Sequence, residues 1–322
     1  MTRGILVAGA VSFYVSVGVR EFPVRYASTS SPRWSCAAVS GAAGHIARTL
    51  KTLGDDVRLC TVVGRDLLGA GITAELGRAD LLGPGIVESV ESSSGVTLVA
   101  PDGRRMGFPH LAPVDRVAYP PGLFEAQARG ADLLVMTNAK FVRDLVPPAA
   151  RLGVPIAVDV HLIDDLDDEY DRPWLEAARI VFCSHERLPC PPEDWMAGMF
   201  RRYPRCQVVG VGLGGRGAAL GTRDGLLVRV GAVTPREVVN TTGAGDALFA
   251  TFLHVWRNTA DPVRALRTAV VHAGWKIGSR TPVTASLTRE ELSRLEAAHP
   301  PRVVTGRWDL RPPAGGPGAE TF

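Results

Sequence analysis

Asp246 stands directly behind the turn Gly243-Ala244-Gly245, and an apolar stretch of helical character, "ALFATFLHVW", follows it. The opening amides of such a helix have no internal acceptor and carry partial positive charge. Glycines in the turn before them let an anion approach the backbone. Residues 241–245 can therefore hold a phosphate oxygen, or charge that develops during transfer. A carboxylate beside that position is placed to take a proton from a hydroxyl. The chemistry so described is phosphoryl transfer, which asks mainly for positioning and charge stabilisation. Taken alone, the same pattern also describes an ordinary loop with an acid at a helix N-terminus.

Other residues offer weaker chemistry. Asp159 and His161 alternate along an apolar run and precede the acidic "IDDLDDEYD", which reads either as a metal site or as a solvated loop. Gly210 to Gly215 satisfies G-x-G-x-x-G, but Asp224-Gly225 follows as a hairpin turn where a dinucleotide site needs a helix. The pattern G-x-x-x-x-G-K-[ST] is absent. The five cysteines form no C-x-x-C pair and read as reduced thiols, so the expected location is cytoplasmic.

The elements that must position these residues alternate. Apolar strand candidates at 4–11, 57–64, 131–137, 155–160, 178–184 and 206–213 are separated mostly by helix-sized segments, among them 40–53, 66–79 and, later, 246–257. That order implies a doubly wound, mostly parallel sheet flanked by helices. Residues 95–108 read as a hairpin turning at Pro101-Asp102-Gly103, and 306–322, rich in Gly and Pro, as a disordered tail. With 322 residues, a net charge of +3 and no apolar run long enough to span a membrane, neither a nucleic-acid nor a membrane partner is expected.

"NTTGAGDALFATFL" resembles the C-terminal signature of the ribokinase-like, or PfkB, carbohydrate kinases. "GAAGHIARTLKTLGDDVRLCTVVGRDLLG" (41–69) resembles their N-terminal signature, ending in V-G-x-D-x-x-G. The resemblance runs in order over about residues 4–297. It implies one kinase domain over 1–305 with a small β-sheet lid at about 14–35 and 88–112, through which a homodimer could form. It implies ATP as phosphate donor, Mg2+, room for a monovalent cation such as K+, and a sugar or nucleoside hydroxymethyl group as acceptor. Asp246 becomes the catalytic base, and Thr242, Gly243, Ala244 and Gly245 become the anion hole. Asn240, Gly212, Gly214, Gly217, His272 and Lys276 fall on nucleotide-side segments, and Glu186 is assigned to the Mg2+ water network. On the substrate side fall Ser12, Tyr14, Gly41, His45 and Asp159.

Departures from the family pattern gather on that substrate side. Ser12 and Tyr14 replace an Asn and an Asp that grip substrate hydroxyls, and His45 replaces an Asn. Asn240 stands where Asp is usual. With the phosphate turn and base intact, a kinase with an altered acceptor pocket is expected. A family member that binds nucleotide and regulates without transfer is the alternative. Tyr14, Phe13 and Trp34 either stack on an acceptor ring or pack the lid.

Overall fold

A computed structural model of the chain describes residues 4–281 and 286–308. In chain order its strands are β1 (Gly4–Ala8), β2 (Ser12–Gly18), β3 (Trp34–Ser40), β4 (Asp56–Gly64), β5 (Ile86–Ser89), β6 (Ser94–Val99) and β7 (Arg105–His110). They continue as β8 (Ala131–Thr137), β9 (Ile156–Leu162), β10 (Ile180–Ser184), β11 (Val208–Gly212), β12 (Ala218–Thr222), β13 (Leu226–Val230) and β14 (Val303–Arg307).

Ten strands form one sheet in the order β14-β13-β12-β11-β10-β9-β8-β1-β4-β5. It is parallel from β5 to β11 and antiparallel beyond. The reason is legible in β1. Its five residues are all buried, and alternate side chains enter opposite cores: Ile5 and Val7 on one face, Leu6 and Ala8 on the other. A strand that is apolar at every position needs cover on both faces, and the helices supply it.

Strands β3-β2-β6-β7 form a separate four-stranded sheet. Its hairpin closes where the sequence places it: the Gly103 amide donates to the Ala100 carbonyl at 3.0 Å, and Gly103 takes φ +82. Val15, Val96 and Phe108 lie in one cross-strand row and are exposed. On the opposite face the Tyr14 ring lies over Gly95, whose added Cβ would meet it at 2.4 Å.

The signature around Asp66 is a structural knot. Asp66 caps the helix Leu67–Arg78 through the Gly69 amide (2.6 Å) and accepts from the Ser92 amide (2.8 Å) and hydroxyl (2.7 Å). It thereby ties that helix to the entry of β6. The chain's far end differs from expectation. Gly306 and Arg307, assigned to the tail, belong to β14, which pairs antiparallel with β13. Its register follows from β13 offering an open edge, which no local pattern announces. Residues 309–322 lie outside the described residues. Among the described residues no helix is long and apolar enough to cross a membrane.

Candidate active site

The helix that carries Asp246 spans Ala244–Thr259 and is fixed at three places. In its middle, Phe249 and Phe252 clasp Phe182 of β10, with ring centroids 5.1 and 5.0 Å apart. Gly210 on β11 leaves room for that ring: a Cβ there would meet Phe182 Cζ at 2.4 Å. The G-x-G-x-x-G pattern thus begins with a packing glycine. At the C-terminal end, Asp55 bonds His254 Nδ1 (2.8 Å) and Arg257 Nη1 (3.0 Å), while Arg257 Nε bonds Asp132 (3.0 Å). At the N-terminal end, Gly243 takes φ 76, a left-handed conformation that favours glycine. A Cβ on Gly243 would lie 2.7 Å from Lys276 Cε and 3.3 Å from His45 Cδ2. The turn, Lys276 and His45 therefore share one small space.

The incoming loop is held by side-chain bonds. Asn240 is buried, its Oδ1 accepting from the Thr242 amide (3.0 Å) and its Nδ2 donating to the Arg280 carbonyl (3.2 Å). The Thr241 hydroxyl donates to the Gly103 carbonyl at 3.0 Å, so the hairpin tip of the small sheet is fastened down on this loop.

The electrostatics are those of a reactive site. Asp246 is 8% exposed. Burial pushes its pKa up to about 6; neighbouring His161 pulls it down, Asp159 adds to the rise, and Lys276 and Arg105 oppose it. Lys276 is 2% exposed, and burial lowers its pKa to about 8, with Asp246 acting to raise it and Arg48 to lower it. At neutral pH the pair is a carboxylate facing an ammonium. Burial holds the His45 imidazole well below its ordinary range, helped by Lys276, Arg48 and Arg105, so His45 is neutral. Its Nε2 shares a 2.9 Å hydrogen bond with the Ser40 hydroxyl. Ligating atoms of Asp159, His161 and Asp246 lie within 4.8 Å of one another.

The sequence candidates divide. Thr242 to Gly245, Asp246, Lys276, His45 and Asp159 come together. Gly41 supports the site by allowing close packing: it takes φ +90, and a Cβ would strike the Ala10 carbonyl oxygen at 2.5 Å. Gly217, at φ +94, lets the chain pass 2.0 Å (Cβ to oxygen) from the Val230 carbonyl, and Gly212 accepts from His185 Nδ1 at 3.0 Å. Gly214, at φ +60, is exposed beside His185.

Other candidates are held by protein partners. Ser12 is buried, and its hydroxyl is bonded to that of Ser93 at 2.7 Å, which braces β2. His272 is fully buried, bonded to the Thr251 hydroxyl (2.7 Å) and the Leu287 amide (3.3 Å), so both ring nitrogens are engaged within the protein. Asn240 serves the loop and offers no charge to a nucleotide. Glu186 is exposed on the short turn His185–Arg187 after β10. Of the aromatics, Phe13 packs against the Leu67–Arg78 helix at Gly71, and Trp34 covers Gly18 and meets the Arg280 guanidinium at 5.9 Å. These two pack the lid.

Arg105 on β7 was missed by sequence reasoning, yet it acts electrostatically on Asp246, His45 and Tyr14. The period of two in β7 puts Arg105 on the Tyr14 face, a signal that needed the strand register to be known. Two buried polar atoms lack partners beside the turn: Thr242 Oγ1 and Asp246 Oδ1. Open space lies before Gly245, where a Cβ would meet nothing within 4 Å. Orphaned polar atoms beside a glycine turn and a buried ammonium fit an anionic group with a hydroxyl next to it.

The chain is similar to known kinases. The model of the pfkB family carbohydrate kinases matches residues 200–289. The ATP-dependent ribose-1-phosphate kinase of Halopiger xanaduensis is 29% identical over 299 residues, 90% of this chain and 98% of that protein. Among solved structures, a microbiome-derived acarbose kinase superposes with TM-score 0.80 at 24% identity, covering 92% of this chain and all of its own. Arabidopsis thaliana ribokinase, complexed with ribose and ATP, superposes with TM-score 0.76 at 17% identity, covering 92% of this chain and 99% of its own.

Proposed function

We propose that the chain is a ribokinase-like PfkB kinase, which transfers the terminal phosphoryl group of ATP to a hydroxyl of a small sugar or nucleoside derivative; the match to the family model over residues 200–289 and the likeness to a ribose-1-phosphate kinase support the reading. One observation carries the reading: a buried carboxylate with an unpartnered oxygen, at a helix N-terminus, beside a glycine turn and a buried ammonium.

Asp246 takes the proton of the acceptor hydroxyl as that oxygen bonds to the terminal phosphorus and the bridging P–O bond breaks towards ADP. Its pKa of about 6 leaves it ionised at neutral pH yet basic enough to accept the proton. The opening amides of the Ala244–Thr259 helix and the Lys276 ammonium hold the charge on the transferring group. The Thr242 hydroxyl, buried without a partner, donates to a phosphoryl oxygen. Mg2+ travelling with the nucleotide would neutralise its phosphates, and Glu186 is the carboxylate we assign to its water shell. Thr241 and Gly103 hold the lid down and exclude water, which protects ATP from hydrolysis.

The acceptor side is cationic. Arg105 faces the site, with no ion pair among the described residues, alongside Tyr14 and neutral His45. A carboxylate at position 14 would suit neutral sugar hydroxyls; a phenol beside an arginine suits an acceptor that itself bears an anionic group. A sugar phosphate is thus the first class to test. The exposed row Val15, Val96 and Phe108 supports a homodimer built lid to lid.

The experiment is ADP release with Mg-ATP across pentoses, hexoses, nucleosides and their monophosphates, using wild type and Asp246→Asn. Transfer to one class, falling roughly 10²- to 10⁴-fold in the variant with ATP still bound, is the expected result. ATP binding with no transfer to any acceptor would make the chain a nucleotide-binding regulator instead.

A further inference from the structure

We propose that Asp159, His161 and Asp246 form a binding site for a divalent transition-metal ion, in competition with the acceptor hydroxyl, so that metal occupancy arrests transfer. The ion-binding part stands on geometry alone; the arrest rests on the kinase reading above.

The three side chains come from two elements that meet only in the fold. Asp159 and His161 lie on β9, and Asp246 lies in the first turn of the Ala244–Thr259 helix. One ligating atom from each falls within 4.8 Å of the others. Ligands bound at about 2.0–2.2 Å from one ion are at most about 4.4 Å apart, so a sub-ångström adjustment closes the set. The His161 side chain is 42% exposed and can make that adjustment.

The donor set is one imidazole and two carboxylates, which neutralises a divalent ion and suits a borderline first-row metal better than Mg2+. Two buried carboxylates come together there, Asp159 at 5% and Asp246 at 8% exposure, and an ion held between them would relieve their repulsion, which raises Asp246 in spite of Lys276. Asp246 Oδ1 is sealed from solvent with no hydrogen bond, so a ligand position stands ready. His161 is held at φ 57, left-handed and unusual outside glycine, by a backbone that sends its amide to Asp159 Oδ1 at 2.9 Å. That bond leaves Asp159 Oδ2 on the imidazole side, 3.7 Å from His161 Nδ1. A metal on Asp246 occupies the lone pairs that would take the acceptor's proton, and competition with the acceptor follows.

The test uses Co2+ and Mn2+ on the full chain without nucleotide. Co2+ is followed by its visible absorption and Mn2+ by loss of the free-ion EPR signal, with Mg2+ as competitor. The key variant is His161→Gly, which deletes the imidazole and suits the positive φ, so it should fold. Wild type should bind one equivalent, and the variant should bind at least tenfold more weakly with an unchanged far-UV spectrum. In turnover assays with Mg-ATP, Co2+ should raise the apparent KM for the acceptor, and His161→Gly should blunt that effect. Equal binding in wild type and variant, displacement by equimolar Mg2+, or a thiolate-to-cobalt charge-transfer band placing the ion on cysteine would each overturn the site. Binding lost in the variant, in a protein that transfers phosphate to no acceptor, would keep the site and remove the kinase reading.

Discussion

Replacing Lys276 by Met tests the charge pair at the centre of the site, and two consequences can be worked out. The first concerns the base. With a pKa of about 6, Asp246 is about 90% ionised at pH 7. Lys276 opposes the rise that burial imposes, with His161 acting the same way more strongly, so its loss moves Asp246 upward while His161 still holds it. The ionised fraction of the base therefore falls most at and below pH 7. The second is loss of fixed positive charge beside the anion turn, comparable to deleting one oxyanion donor, roughly 10²- to 10³-fold in kcat. The assay is kcat/KM against pH by coupled ADP release. Wild type should give a bell, rising through about 6 as Asp246 ionises and falling through about 8 as Lys276 loses its proton. The variant should lose the alkaline limb and move the acid limb upward. Stability should move the other way. A lysine depressed from 10.5 to about 8 in the fold contributes stability only at high pH, lost as pH falls through about 8. At pH 7 its burial therefore costs about 3 kcal/mol. Met removes that cost, and Asp246 gives part of it back by losing its partner, for a net gain of about 1–2 kcal/mol. A variant that keeps the alkaline limb, or turns over within about threefold of wild type, would refute the reasoning.

The remaining predictions are shorter. Asp246→Asn should also stabilise the protein: the carboxyl is raised from 3.8 to about 6, so its stabilising contribution is full below 3.8 and lost as pH rises through about 6. Thermal melts should show the gain at pH 7 and none at pH 4. Asp55→Ala strips the buried His254 and Arg257 of a shared partner and should cost about 3–5 kcal/mol by denaturant melts, with acceptor KM unchanged in the folded fraction. Thr241→Val releases the hairpin tip; losing about 1 kcal/mol of closure should raise acceptor-independent ATP hydrolysis several-fold. The lid-to-lid dimer proposed above predicts a dimeric light-scattering mass for wild type and a monomeric one for Phe108→Glu, in the exposed row of the small sheet, with the melting temperature held.

What could be read from the sequence follows a physical division. The core strands were legible because a strand buried on both faces must be apolar throughout, as Gly4–Ala8 is. The helix mouth at Asp246 was legible because left-handed Gly243 and the acid behind it are local features. Edge strands were not: Val303–Arg307 is half polar and exists because β13 leaves an edge to pair. Ser12 and His272 are tied into the protein for one shared reason. A buried hydroxyl or imidazole satisfies itself with the nearest protein partner, here Ser93 in one case and Thr251 with the Leu287 amide in the other, and those partners lie far away in sequence or across helices. The converse holds beside the glycine turn. Thr242 Oγ1 and Asp246 Oδ1 are the buried polar atoms beside the glycine turn that found no such partner. A fold that satisfies Ser12, Asn240 and His272 yet leaves these two unmet, next to an ammonium it must desolvate, carries a local cost that a bound ligand or ordered water offsets.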